Sequence, residues 1–236
     1  MSSSSQPKVL MVLTSHSKMT VNGESKPTGW YLPEFAHPYN QLKDKTDITI
    51  ASPAGGEAPL DPGSVEAVKS DKESMDFHDN QSQLWKSTQK LSEFKGKAGE
   101  FAAIFYVGGH GPMFDLANDS TSHDVIREFW ESGKVVSAVC HGPAALANVK
   151  LSDGSYLVNG SAVTGFTNTE EDQAGLTAAM PFLLEDALTK NGGKFEKAGE
   201  AWGEKIVVGK EGRLITGQNP ASAAGIGKAI AQAIKA

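Results

Sequence analysis

The single cysteine of this chain, Cys140, lies in the stretch SAVCHGPAAL (residues 137–146), at the end of an apolar run and against a histidine, a glycine and a proline. A thiol in that setting could serve as a nucleophile. Gly142 lets the backbone turn sharply, and Pro143 suits the first turn of a helix, where its missing N–H forfeits no bond. The pattern predicts a strand-to-helix elbow that raises the thiol at the carboxyl edge of a sheet, much as the nucleophile elbow of α/β-hydrolases does. The N–H groups of the helix N-terminus are expected to favour the thiolate. A buried structural thiol is the alternative, because cysteine is among the most buried residue types. The elbow position favours the nucleophile.

Three other segments carry groups that could join Cys140. In VGGHG (residues 107–111), the Gly109 N–H could pair with the His141 N–H to cradle a developing oxyanion; otherwise the glycines make a tight turn. Glu34 in PEFAHP heads a helix, where its carboxyl could approach the thiol or simply complement the helix dipole. In GFTNTEED (residues 165–172), Glu170 or Glu171 could orient the His141 imidazole, or both could cap the next helix. His141 reaches Cys140 only if the elbow is kinked, since neighbouring residues of a regular helix do not face one another. His110 is a further candidate, for substrate contact. His16, His37, His78 and His123 show no ligand spacing, so no metal site and no cofactor are expected.

Elements must bring these groups to one edge. Residues 8–14 (KVLMVLT), 47–52 (DITIAS), 102–111 (AAIFYVGGHG, ending in glycines), 134–140 (KVVSAVC) and 161–166 (SAVTGF) read as strands, and 205–209 with 213–217 as a strand pair joined by Lys210-Glu211-Gly212. Helical spacing appears at residues 30–42, 123–132, 142–149, roughly 172–190, and in the last segment, with Asn219 as cap and Pro220 at the first position. Residues 15–29 read as a polar loop, and the Pro- and Gly-rich residues 52–64 exclude regular structure. Residues 64–100 read as polar, with one helix around 81–94. Apolar strands alternating with amphipathic helices specify an α/β sandwich around a mostly parallel sheet, in which sites gather at the carboxyl ends of strands. One domain spanning residues 1–236 is expected, with a cap-like insertion around 53–100.

The net charge of −6 and the absence of a Lys/Arg run argue against a nucleic-acid partner. No apolar segment approaches the ~20 residues of a membrane span, and no signal-like N-terminus is present. One cysteine forms no internal disulfide. A cytoplasmic protein, with nuclear access open, is the expectation. MSSSSQP at the start reads as a flexible tail.

Taken in order, KVLMVLTSH, TGWYLPEFAHPYN, GGHGPMFDL, AVCHGPAAL, VTGFTNTEE and RLITGQNPASA resemble the DJ-1/PfpI superfamily. Within it they resemble the fungal Hsp31-like, glutathione-independent glyoxalases (glyoxalase III). The resemblance implies a flavodoxin-like sandwich, usually dimeric, with Cys140 as nucleophile and His141 beside it. It puts the triad carboxylate on Glu171, with Glu170 as the adjacent alternative, the glutamate near the cysteine on Glu34, and the oxyanion donors on Gly109 and His141. It implies conversion of a small 2-oxoaldehyde, methylglyoxal, to D-lactate without glutathione or metal. Other activities compatible with the same residues are a stress-related holdase, which needs an exposed apolar patch, a redox sensor acting through Cys140 oxidation, and a cysteine peptidase or amidotransferase.

Overall fold

Short apolar runs leave strands with no polar face, and such strands are stable only when covered on both sides. The computed structural model, which describes residues 6–236, has eleven strands, buried apolar ones among them: β1 (Lys8–Val12), β2 (Lys18–Val21), β3 (Glu24–Pro27), β4 (Asp47–Ser52), β5 (Gln89–Lys90), β6 (Ala103–Tyr106), β7 (Val135–Val139), β8 (Ala162–Val163), β9 (Lys194–Phe195), β10 (Ile206–Gly209) and β11 (Leu214–Gly217). Seven of them form one sheet in the order β10-β11-β7-β6-β1-β4-β5. Every pairing is parallel except β10 with β11. Buried β6 and β7 occupy the middle, so their carboxyl ends bring the GGHG turn and Cys140 side by side.

Helices cover the sheet in separate layers. Leu32–Leu42 packs against the C-terminal helix Ala223–Ala233, which also touches β7 and β11, while Ser120–Glu131 packs on β6 and β7. This is the α/β sandwich that the alternation of elements specifies, and the flavodoxin-like form of it that the family resemblance implies. No helix among the described residues is long and apolar enough to cross a membrane.

Five local expectations are corrected. Residues 15–29 contain a hairpin, β2 with β3, closed by Asn22-Gly23 with both residues at positive φ (51° and 81°). Asn-Gly is a strong hairpin signal, masked here because the flanking strands are exposed and lack apolar alternation. Residues 52–100 hold the short helices Pro62–Ala67, Lys72–Asn80 and Gln83–Lys86 and the edge strand β5, rather than one helix at 81–94. Asp61 and Asp71 cap the first two, and Phe77, Trp85, Leu91 and Phe94 are buried. The helix expected over 172–190 is split into Asn168–Gln173 and Leu184–Lys190, with Pro181 between them. Its neighbour at 161–166 gives only β8, which pairs with β9 outside the main sheet. Asn219 makes no side-chain cap; its amide instead donates to Glu170 and to the Gly203 carbonyl. The tail expected at residues 1–7 lies largely outside the described residues.

Candidate active site

Cys140 leaves β7 with φ +58°, a left-handed conformation that costs a non-glycine residue about 1–3 kcal/mol. Its N–H donates to the Gly217 carbonyl at 2.9 Å, which holds the kink against β11. That kink brings neighbouring side chains together. The Cys140 Sγ lies 3.4 Å from His141 Nδ1, and His141 Nε2 lies 2.6 Å from Glu171 Oε2. All three groups are buried.

Glu171 also meets His110, whose Nε2 is 2.9 Å from Oε1. Burial would raise the Glu171 pKa, but the hydrogen bonds from His110 and His141 outweigh it and hold the carboxyl at about 2. An ionised carboxylate only accepts, so both Nε2 atoms carry the proton. The lone pair of His141 Nδ1 then faces the thiol. Burial, followed by repulsion from His110, lowers His141 to about 4, so its ring is neutral near pH 7.

Glu34 lies near the thiol under different rules. It is fully buried in the first turn of Leu32–Leu42, and neither carboxyl oxygen completes a hydrogen bond. Burial pushes it up to about 8; the nearby Cys140 thiol and Gly109 N–H pull back only partly. Burial, and then Glu34, likewise push the Cys140 thiol up. This corrects the expectation of a thiolate favoured by a helix N-terminus: the helix at the elbow, Ala144–Ala147, has a single turn, and its field is outweighed by desolvation and a neighbouring carboxyl.

Glycines make this approach possible. A Cβ on Gly108 would stand 2.2 Å from Glu34 Oε2 and 2.8 Å from Cys140 Cβ, and Gly109 has φ +97°. Among the described residues, neither the Gly109 N–H nor the His141 N–H donates to a backbone carbonyl; the Gly109 N–H faces the Glu34 carboxyl and the Cys140 thiol. Glu170, beside Glu171, faces elsewhere. Its carboxylate accepts from Thr167 in a capping box and from the Trp202 N–H, Gln218 and Asn219.

Cys140, His141, His110 and Glu34 line a cavity of about 260 Å³, with Tyr31 and Trp202 among its other walls. Burial, then Glu34, raise the Tyr31 phenol to about 12, so it stays neutral. Among the described residues, no lysine or arginine lines this space. His110, His141 and Glu171 present three ligand atoms within 4.8 Å of one another. The set suits a divalent cation in donor type, yet its close contacts are already satisfied as hydrogen bonds. It spans three separate segments, so no local spacing in the sequence reveals it.

A family model described as DJ-1/PfpI matches residues 33–233. The chain belongs to the DJ-1/PfpI family. Saccharomyces cerevisiae "Glutathione-independent glyoxalase HSP31" is 30% identical, the match covering 92% of this chain and 93% of the relative. Candida albicans "Glyoxalase 3" is 31% identical over the same shares. Among solved structures, glyoxalase III from Candida albicans has a TM-score of 0.84 at 29% identity, covering 96% of this chain and 97% of that one. Rapid Encystment Protein 24 kDa of Francisella tularensis has a TM-score of 0.88 at 39% identity, covering 97% and 99%. The likeness therefore extends beyond fungi.

Several residues that line the cavity carry no chemical signal in the sequence. Tyr31 and Asp61 come from the approach to Leu32–Leu42 and from a loop, Met19 from β2, and Trp202 from a loop before β10. The Trp30–Leu60 bridge and the Asp61 N–H bond to the Trp30 carbonyl tie the Asp61 loop to this edge. Neither contact has a sequence signature.

Proposed function

We propose that this protein is a glutathione-independent glyoxalase that converts methylglyoxal and water to D-lactate. The observation that carries this reading is a thiol bonded to an imidazole and, in the same pocket, a second carboxyl raised to about 8, so that it can both take and return a proton. Addition to an aldehyde needs the first, and proton transfer between adjacent carbons needs the second. The named glyoxalases similar to this chain over nine-tenths of its length support it.

His141 Nδ1 takes the thiol proton as Cys140 Sγ bonds to the aldehyde carbon, and the Gly109 and His141 N–H groups receive the developing oxyanion. Proton return from His141 completes a hemithioacetal. Glu34, in its ionised form, removes the hydrogen of the former aldehyde carbon as a proton while the ketone oxygen takes a proton from solvent, giving an enediol. Glu34 then returns its proton to the ketone carbon as the hydroxyl of the former aldehyde carbon releases one to solvent, which leaves a thioester. The aldehyde carbon is thereby oxidised by two electrons and the ketone carbon reduced by two. Water then cleaves the thioester and frees the thiol. A cavity walled without cations suits a neutral dicarbonyl and gives no anchor to an anionic glutathione adduct.

The test is D-lactate formation from methylglyoxal by the full chain, with no thiol cofactor and with a chelator present. Turnover that vanishes in Cys140→Ala sustains the reading. Turnover that survives in Cys140→Ala, or is absent from the parent, refutes it.

A further inference from the structure

The cavity continues outward from the thiol along aromatic surface. The His141 ring packs on Phe166 with centroids 4.4 Å apart, and Phe166 meets Trp202 edge-on at 5.4 Å. Methylglyoxal offers only a methyl group beyond its two carbonyls. That leaves most of this strip, and the cavity wall of Met19 and Leu176, without a partner in a space of about 260 Å³.

Trp202 is held where its position is costly. It is 44% exposed, and among the described residues Val208 is the only other exposed large apolar side chain. Its φ of +66° is rare for a bulky residue. A polar clamp maintains both features. The Trp202 N–H donates to Glu170 Oε1 at 2.8 Å and the indole N–H to Gln173 Oε1 at 2.6 Å. The Asn219 amide joins the same Glu170 oxygen to the Gly203 carbonyl. Glu170 and Gln173 lie on the short helix that carries Glu171. The ring is thus fixed relative to the His141 partner, at the outer end of the pocket. Strain held by a dedicated network points to a functional position.

We propose that Phe166 and Trp202 form a subsite for an aryl group on the ketone carbon, so that aryl-substituted 2-oxoaldehydes are preferred to methylglyoxal. The proposal rests on the glyoxalase reading and extends it to a substrate class. An aromatic ring entering the strip gains edge and offset contacts with both rings as well as burial. For phenylglyoxal the balance is unchanged. Substrate and water give mandelate, the aldehyde carbon losing two electrons and the ketone carbon gaining two, with no outside oxidant.

The experiment compares kcat/KM for phenylglyoxal and methylglyoxal in the parent, Trp202→Ala and Trp202→Phe. The parent ratio is expected above one. Trp202→Ala should lower it about 10-fold or more, the scale on which hydrophobic pockets discriminate, and Trp202→Phe should recover most of it. A parent ratio at or below one, or a ratio unmoved by Trp202→Ala, overturns the subsite while leaving the glyoxalase reading intact. Absence of turnover with either aldehyde refutes the glyoxalase reading. Calorimetry with 1-phenyl-1,2-propanedione, which has no aldehyde, then decides the subsite. Binding weakened about 10-fold in Trp202→Ala sustains it, and equal or undetectable binding overturns it.

Discussion

Two buried carboxyls flank the same Cys140–His141 pair under opposite conditions. Glu171, on Asn168–Gln173, receives hydrogen bonds from two imidazoles and sits at about 2. Glu34, at the head of Leu32–Leu42, is more deeply buried, has no completed hydrogen bond and sits at about 8. Burial acts in the same direction on both. What separates them is the supply of donors, and in the proposed reaction that difference divides the labour: one carboxylate stays charged and orients a base, while the other exchanges a proton near neutral pH.

The comparison can be broken at several points. Cys140→Ala removes the atom that both carboxyls serve. Turnover of methylglyoxal should fall by about 10³-fold or more with the circular dichroism spectrum unchanged. Glu171→Gln removes the charge while keeping the shape. The side-chain amide then has no fixed preference for the tautomer that leaves Nδ1 free, and kcat should fall by about 10²–10⁴-fold, as when a triad carboxylate is neutralised. Glu34→Gln removes the shuttle, and a loss of about 10²–10³-fold is expected. Its pH profile is the sharper readout. Because the Glu34 pKa is raised, its basic form grows only as pH passes about 8. Parent kcat/KM should climb across that window, and the variant profile should lose that limb.

Glu170→Gln tests the neighbour that looks equivalent in the sequence. Its carboxylate binds structural donors rather than His141. Loss of that acceptor should cost about 2 kcal/mol of stability in denaturant titration and reduce kcat far less than Glu171→Gln. The smallest effect concerns stability against pH. Glu34 holds its proton in the folded chain above its ordinary value of 4.5, so its contribution is full below 4.5 and is lost as pH rises through about 8. Glu171 behaves oppositely: its contribution is present above 4.5 and is lost as pH falls through about 2. Thermal melts should therefore show Glu34→Gln relieving alkaline loss and Glu171→Gln relieving acid loss.

The same contrast marks what the sequence could disclose. The elbow at Cys140 is local: an apolar run, a glycine and a proline specify it within ten residues, and the α/β alternation follows from apolar periodicity. The choice between Glu170 and Glu171 turns on which way adjacent helix positions face. Composition leaves that open, although Thr167 three residues before Glu170 is a capping-box spacing that explains why Glu170 turns inward. Glu34 reads equally well as a solvated first-turn residue, because its burial depends on Gly108 and β7 arriving from elsewhere. His110 and Glu171 are 61 positions apart, and only the sheet order joins them. The raised thiol is the same kind of effect: desolvation is a property of the assembled site and has no residue pattern of its own.

The division between the two carboxyls is tested most directly by difference infrared spectroscopy of the carboxyl C=O stretch in the parent, Glu34→Gln and Glu171→Gln. The account predicts a protonated-carboxyl band in the parent at pH 7 that fades as pH rises through about 8, vanishes in Glu34→Gln and persists in Glu171→Gln. A parent without that band, or a band that disappears in Glu171→Gln and survives in Glu34→Gln, would contradict it.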